Sequence, residues 1–475
     1  RLASLSAVII DPHQAPMARC VLVGGRPDVV LEQDGFHHPR SARSRKTAFT
    51  RYADLVHVSA TDRAIWLASH RDVTVLPRKA FLNDRGPEQL LAALVDRVAR
   101  LPSGAAQLTR MALLDERGRT LPRAVATRSL MFLCLAAFVL QIVDWLDVYM
   151  VGFFNYTLFV GGDWWRPVTG NLLHGFPLHL ATNLIGLWLL GRLVERSLGG
   201  VRTICVMAAS GLGAMLTCAL LVSGDVVGVS GVVLGLVGAV LWVDIRLYEE
   251  LPAWWRFPRF VRRFLALALL ADLSLGFLIP MVSGEAHLGG FVAGVLAAAV
   301  VAPRGSIGRV PSTPLRSAAA FVSALVLVSV GGAAIEIRGG DYVLRNADRL
   351  LAATEIPPQL LNNLAWMIAI DDHASREQLR GALRLAERAV SETEAGEPTL
   401  LDTLAEVQFQ LGNEETAIDT IDLAIALDPD EDYYREQRRR FTGERDADDR
   451  PPDPQMELFE RDKPPLPPDI EGLQA

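Results

Sequence analysis

Between residues 129 and 335 the chain carries seven apolar runs, at 129–146, 171–190, 203–222, 226–243, 264–281, 286–301 and 317–335. Each approaches the ~20 residues that cross a bilayer as a helix. Lipid offers the backbone no hydrogen bonds, so every run must close its own bonds internally. The predicted fold class is therefore an all-α polytopic membrane protein. Half of the 475 residues are hydrophobic, too many for an ordinary soluble chain. Net charge is only −7 and the acidic residues gather toward the C-terminal part, which excludes nucleic acid as the expected partner and leaves the lipid bilayer. The four cysteines, Cys20, Cys134, Cys205 and Cys218, have no Cys-x-x-Cys spacing and three lie in apolar runs. They read as buried fillers, with no metal site and no cofactor implied.

Basic residues on the flanks set the expected orientation, because cytoplasmic loops carry the excess of arginine and lysine. Arg117, Arg119, Arg123 and Arg128 precede the first run. Arg192, Arg196 and Arg202 lie between the second and third, and Arg246, Arg256, Arg259, Arg262 and Arg263 between the fourth and fifth. Arg304, Arg309 and Arg316 follow the sixth, whereas the alternate loops hold only Arg166. The N-terminus is expected in the cytoplasm and, with seven spans, the C-terminus outside. No early apolar stretch follows a basic region, so the first membrane helix is expected to direct insertion.

Polar side chains inside hydrocarbon are costly and usually face the bundle interior. Two glycine-flanked stretches carry such residues: Gly228-Val229-Ser230-Gly231 and Ala286-His287-Leu288-Gly289-Gly290. Gly231, Gly235 and Gly238 form one smooth stripe after the serine, and Gly290 and Gly294 another after the histidine. Small residues at this spacing let membrane helices approach closely, which would bring Ser230 within reach of His287. In the run from Asn171, His174, His179 and Asn183 are polar, and the last two share a helix face. Trp165-Arg166 stands in the preceding loop.

The Trp-Arg pair, His-x4-His-x3-Asn, Gly-x-Ser-Gly and Ala-His-x-x-Gly-x-x-x-Gly stand in the order found in the rhomboid intramembrane serine proteases, and residues 129–303 resemble that family. Gly191, Glu195, Arg196 and Gly199 at the end of the second helix resemble it too. The resemblance implies a six-helix transmembrane domain over 129–303 with a seventh helix at 317–335. It implies Ser230 as nucleophile and His287 as general base, a dyad with no acidic third member. His179 and Asn183, with the Ser230 amide, would form the oxyanion hole, and His174 would support the loop around the site. Trp165, Arg166, Gly228, Gly231, Gly290 and Gly294 would be structural. The implied activity is an intramembrane serine endopeptidase acting on transmembrane segments of membrane proteins, with the bacterial inner (cell) membrane as its expected location. Two positions depart from the family pattern. Leu234 stands where a tyrosine often stacks on the histidine, and Gly170 where some members have histidine.

Other polar residues have structural readings. Asp272 and Ser274 in the fifth run could line a proton path, but a lone carboxylate there is more often satisfied by a neighbouring helix. Glu285 reads as an interfacial residue whose charge suits a helix start.

Residues 1–123 read as a soluble cytoplasmic domain. Short β-rich runs at 7–10, 29–31, 55–58, 64–67 and 73–76 alternate with turns. Pro87 then opens a helix with Leu90, Leu91, Leu94, Val95, Val98 and Leu101 on one face. Strands closed by one amphipathic helix look like a pleckstrin-homology-like module. His37-His38 and the basic stretch Arg40, Arg43, Arg45 and Lys46 read as a solvated loop. Residues 344–441 resemble tetratricopeptide repeats: Leu401, Leu404, Ala405, Gly412, Ala417, Ile421, Ala424 and Pro429 form one unit. Leu361, Leu364, Ala365, Trp366, Ala382, Leu385, Ala386 and Ala389 form another. Such repeats imply a groove for a peptide or protein partner, against the alternative of a spacer. The acidic, proline-rich stretch 443–475 is expected to be disordered.

Two other functions compete with the protease: a catalytically inactive relative that binds or chaperones membrane segments, and a transporter. Retention of both Ser230 and His287 argues against the first. Polar residues at the outer helix ends, rather than at the midplane, argue against the second.

Overall fold

The computed structural model describes residues 19–451 except 42–43, 71, 120–122, 144, 222–225, 279–282, 339–341 and 353–357. The strand expected at 7–10 and the tail beyond 451 lie outside the described residues. The chain forms two compact units, one of Arg1–Phe132, Asn183–Thr217 and Ser230–Ala324, the other of Leu133–Thr182, Cys218–Val229 and Leu325–Ala475.

In the first unit a small antiparallel β region leads into helices. Strands β1 (Arg19–Cys20), β2 (Val29–Leu31), β3 (Gly35–Pro39) and β4 (Thr47–Arg51) make one sheet in sequence order. Strands β5 (Leu55–Ala60), β6 (Ala64–Ser69) and β7 (Val73–Pro77) make a second. Helix Gly86–Ala99 opens with a proline in its first turn and buries Leu90, Leu91, Leu94, Val95 and Val98 in one core with Val29, Phe36, Ile65 and Leu76. The histidine pair does not lie in a solvated loop. Both residues are in β3, where period-2 alternation puts the buried His38 beside Thr50, Nε2 to Oγ1 2.9 Å, and leaves His37 partly exposed. A further helix, Gly104–Arg119, buries Asp115, whose Oδ1 meets His57 Nε2 and Ser59 Oγ, each at 3.2 Å. His57 Nδ1 accepts the Ala253 N–H at 2.9 Å, so Nε2 carries the proton of the neutral ring and donates to Asp115.

Among the described residues, five helices are long and apolar enough to cross a membrane: Val125–Val143, Pro177–Leu198, Gly200–Leu221, Gly284–Val301 and Thr313–Arg338. Two of the seven expected spans fall outside this set. Ser230–Arg246 has 17 residues, about 26 Å at 1.5 Å per residue, and Arg259–Leu278 carries Arg262, Arg263 and Asp272. The second span starts at Pro177 rather than Asn171, since proline suits the first turn of a helix and the residues before it are held in turns. Glu195 is buried near the end of that span, and its carboxylate accepts the Ala126 and Thr127 N–H groups at 2.9 and 3.0 Å. It thereby satisfies donors that the start of Val125–Val143 would otherwise leave orphaned in an apolar setting.

Helix Ser230–Arg246 packs closely on Gly284–Val301. A Cβ built on Gly290 would lie 2.1 Å from the Gly231 carbonyl oxygen, and one on Gly294 would lie 2.3 Å from that of Gly235. On another side, a Cβ built on Gly231 would lie 2.4 Å from that of Ala214, and one on Gly235 2.0 Å from Ser210 Oγ, both on Gly200–Leu221.

In the second unit, three short helices, Trp145–Gly152, Tyr156–Val160 and Arg166–Thr169, follow the first membrane helix. The C-terminal helical segment comprises Tyr342–Ala352, Pro358–Ala369, Arg376–Glu392, Pro398–Gln410, Glu414–Leu427 and Asp432–Phe441. It shares a hydrophobic core with the short helices after the first membrane helix. Tyr342, Leu350, Leu361 and Leu364 share one core with Met150, Val151, Phe153, Leu158 and Trp165. The tail is not free from residue 443: Arg450 donates to Glu406 Oε1 at 3.1 Å, because buried Glu406 needs cationic partners.

Adding a methyl at the seam must force backbones apart, at a cost of about 1–3 kcal/mol for overpacking. Gly294→Ala should lower the thermal unfolding midpoint in detergent, whereas Gly331→Ala, with nothing within 4 Å of its Cβ, should not. Equal midpoints would remove the seam from the account of stability.

Burial, the larger influence, holds the imidazoles of His57 and His38 below the ordinary 6.5, although Asp115 and the Pro39 carbonyl oppose it. The folded state favours the neutral rings. The associated stability is complete above 6.5 and declines as pH falls from there through the depressed folded values. Amide-exchange protection of Leu55–Ala60, corrected for intrinsic rates, should therefore weaken between about pH 7 and pH 5, and weaken less in His57→Gln. Protection independent of pH would contradict this assignment.

Candidate active site

Ser230 is the first residue of helix Ser230–Arg246 and is half-buried. His287 is the fourth residue of Gly284–Val301, whose N-cap Ser283 accepts the Ala286 N–H, and is only 7% exposed. The seam brings the immediate neighbours of these two residues together. A Cβ on Gly231 would lie 3.2 Å from the Ala286 carbonyl oxygen. Among the described residues, Ser230 Oγ and His287 Nε2 make no hydrogen bond. Such bonds are often long before substrate arrives.

His287 Nδ1 lies 2.8 Å from Asp272 Oδ2. Asp272 read in sequence as a carboxylate satisfied by a neighbouring helix, and its partner is the histidine singled out as base. Asp272 lies six residues before the end of its helix and His287 three after the start of the next, and no local pattern in the sequence couples the two. Ser274, two residues on, is exposed, and Glu285 is half-buried in the first turn of Gly284–Val301.

Asn183 lies in the same unit, on Pro177–Gly186, and its Nδ2 is buried without a hydrogen-bond partner. Leu234 is buried one turn after Ser230.

In the other unit His179 sits one turn before Asn183 on that helix, its ring 5.1 Å from His174 and edge-on to it. His174 is fixed by its backbone: its N–H donates to Gln141 Oε1 at 3.1 Å and its carbonyl accepts from Gln141 Nε2 at 3.2 Å. Gln141 attracted no attention in sequence, where it is one polar residue on an apolar helix. Trp165 and Arg166 hold the short helices together. Trp165 Nε1 donates to the Val151 carbonyl at 2.9 Å. Fully buried Arg166 donates to Asp163 Oδ2 at 2.8 Å and to the Phe153 and Met150 carbonyls at 2.7 and 2.9 Å. Asp163 is in turn bonded by the Tyr342 hydroxyl.

Gly228 has φ +119°, a conformation open mainly to glycine, and its N–H donates to the Gly170 carbonyl at 2.8 Å. A side chain at position 170 has no room, since a Cβ there would come 3.0 Å from the Phe154 backbone nitrogen.

Residues 161–304 match the family model of the Rhomboid domain. The rhomboid protease GluP of Bacillus subtilis (strain 168) is 29% identical over 145 residues, 30% of this chain and 27% of that protein. RHOMBOID-like protein 5 of Arabidopsis thaliana is 35% identical over 154 residues, 31% and 48% of the two chains. The rhomboid protease AarA of Providencia stuartii is 28% identical over 160 residues, 30% and 57%. The chain thus spans between about a quarter and three-fifths of the length of these relatives. Residues 161–304 are thus similar to the Rhomboid domain, and the match is confined to that part of the chain.

Proposed function

We propose that the chain is an intramembrane serine endopeptidase that cleaves transmembrane segments of membrane proteins, with Ser230 as nucleophile and His287 as general base. The carrying observation is the backbone contact of Gly231 with Ala286 and Gly290, one residue from Ser230 and one and three from His287. A serine hydroxyl is a weak nucleophile until a base within hydrogen-bond reach takes its proton, and this contact supports that reach. In the proposed reaction Ser230 Oγ bonds to the scissile carbonyl carbon while its proton passes to His287 Nε2. The imidazolium then protonates the leaving amine as the C–N bond breaks, and water hydrolyses the acyl-enzyme by the same route.

Asn183 Nδ2, a buried donor with no partner, suits a developing oxyanion, and fixed donors in a dry site commonly supply the largest catalytic effect. His179, one turn earlier, and the Ser230 amide complete the proposed set, with His174 supporting the loop. The reading that competes is an inactive relative that binds or chaperones membrane segments, favoured by the missing Ser230–His287 hydrogen bond among the described residues.

Contacts of the cytoplasmic-side loops support seven crossings. His57 with Ala253, and His70 and Arg110 with Glu249, support a reading in which 247–256 shares a side with the N-terminal segment and Ser230–Arg246 crosses with the three apolar helices before it. Arg117 with the Glu250 carbonyl, and Glu250 with the Gly305 N–H, support the same side for 303–309, with Arg259–Leu278 crossing like Gly284–Val301. The last crossing, Thr313–Arg338, leaves the C-terminal helices outside, in a bacterium in the periplasm or beyond. We read those helices as tetratricopeptide-like pairs, supported by Gly412 at φ +82° between Pro398–Gln410 and Glu414–Leu427, and as a groove for a peptide or protein partner.

Residues acting as one unit lose function non-additively. With a panel of single-span substrates in liposomes, Ser230→Ala, His287→Ala and the double variant should fall to nearly the same residual cleavage. A serine-directed phosphonate should label Ser230 in the wild type and much less in His287→Ala. Cleavage by Ser230→Ala at the wild-type rate would transfer the reading to the binding or chaperone function.

A further inference from the structure

The hydrogen bond between Asp272 and His287 has no part in a two-residue mechanism. Its geometry is nonetheless that of an orienting contact. Oδ2 and Nδ1 are 2.8 Å apart, and an ionised carboxylate can only accept. The ring proton of a neutral His287 therefore sits on Nδ1, and Nε2 carries the free lone pair. That is the tautomer a base needs if it is to take a hydroxyl proton through Nε2.

Restraint on the ring comes from the same bond. Among the described residues, His287 has no aromatic neighbour and no second side-chain hydrogen bond, so rotation about its χ2 is otherwise limited only by packing. The environment is asymmetric: the His287 side chain is 9% exposed and that of Asp272 38%. One edge of the carboxylate thus faces water while its Oδ2 reaches a nearly dry imidazole. A leucine or an alanine at position 272 would cost a lipid-facing helix nothing, whereas an aspartate there is expensive unless it has a partner.

We propose that Asp272 is the positioning residue of His287: it fixes the Nδ1–H tautomer, holds the ring's orientation, and stabilises the imidazolium formed when Ser230 gives up its proton. Asp272 itself stays ionised throughout; the proton goes from Ser230 Oγ to His287 Nε2 and then to the leaving amine. The proposal rests on the reading of Ser230 and His287 as nucleophile and base, and it makes the working unit three residues instead of two.

The test pairs kinetics with a spectroscopic readout on the full chain in detergent micelles. In ¹⁵N-histidine-labelled protein, with the His287 resonance assigned by its loss in His287→Gln, the wild type should give the Nδ1–H pattern. Asp272→Asn, nearly isosteric, should give a mixed or Nε2–H pattern. Its kcat should fall about 10²-fold with KM little changed, less than the ~10⁴-fold seen for a wholly buried carboxylate, because Asp272 is partly solvated. Asp272→Glu should recover part of kcat, and Glu285→Gln should keep it all. An Nε2–H pattern in the wild type overturns the proposal even if no Asp272 variant folds. Wild-type kcat in Asp272→Asn, with Ser230→Ala inactive, also overturns it and leaves the protease reading standing. Wild-type cleavage by Ser230→Ala overturns both.

Discussion

Among the described residues, the backbones of Ser230–Arg246 and Gly284–Val301 approach so closely that no Cβ fits between them, and the candidate site depends on this approach. Gly290 lies against the Gly231 carbonyl and Gly294 against that of Gly235, at distances no Cβ could tolerate. In lipid, apolar side chains gain nothing by leaving water, so association relies on close packing and on polar contacts that only near backbones can make. The seam lets a short serine and an imidazole begin adjacent helices almost level with each other. A larger residue at any of these glycines would part the helices by more than a hydrogen bond can span.

Polar groups held away from water are satisfied in a second recurring way, by backbone atoms that helix ends and turns leave over. Glu195 takes up N–H groups at the start of Val125–Val143. Arg166 takes up carbonyls of Met150 and Phe153, and Gln141 bonds both backbone groups of His174. Each charge or amide is thus paid for by an orphan it satisfies, which is why such expensive residues are tolerated in an apolar setting. Not every group is satisfied: among those left without a partner in the described residues is the amide nitrogen of Asn183. An unsatisfied donor beside a candidate nucleophile's helix is the kind of local cost that function explains.

The N-terminal β region and the C-terminal helical segment are joined to their neighbours by buried polar contacts as well as by apolar cores. His57 bridges Asp115 and the Ala253 amide within one unit. In the other, Tyr342 bonds the same Asp163 that clamps Arg166, so the first helix of the C-terminal segment shares both core and hydrogen bonds with the short helices after the first membrane span. Changes at either soluble segment have a physical route to the loops they touch.

The sequence by itself determined what depends on neighbouring residues: the apolar runs, the amphipathic face of Gly86–Ala99, the glycine stripes, and the candidate pair Ser230 and His287, whose flanking glycines are local. Two of the seven runs read from sequence as spans fall outside the apolar set in the structure, since Ser230–Arg246 is short and Arg259–Leu278 carries charges. Only the tertiary structure decided the partners of isolated polar residues. Asp272 with His287, Tyr342 with Asp163, His57 with Asp115 and Gln141 with His174 are separated by 15, 179, 58 and 33 residues. A polar residue on an apolar helix announces that it needs a partner; which one it finds is fixed by how helices are packed and rotated, and no local periodicity carries that information.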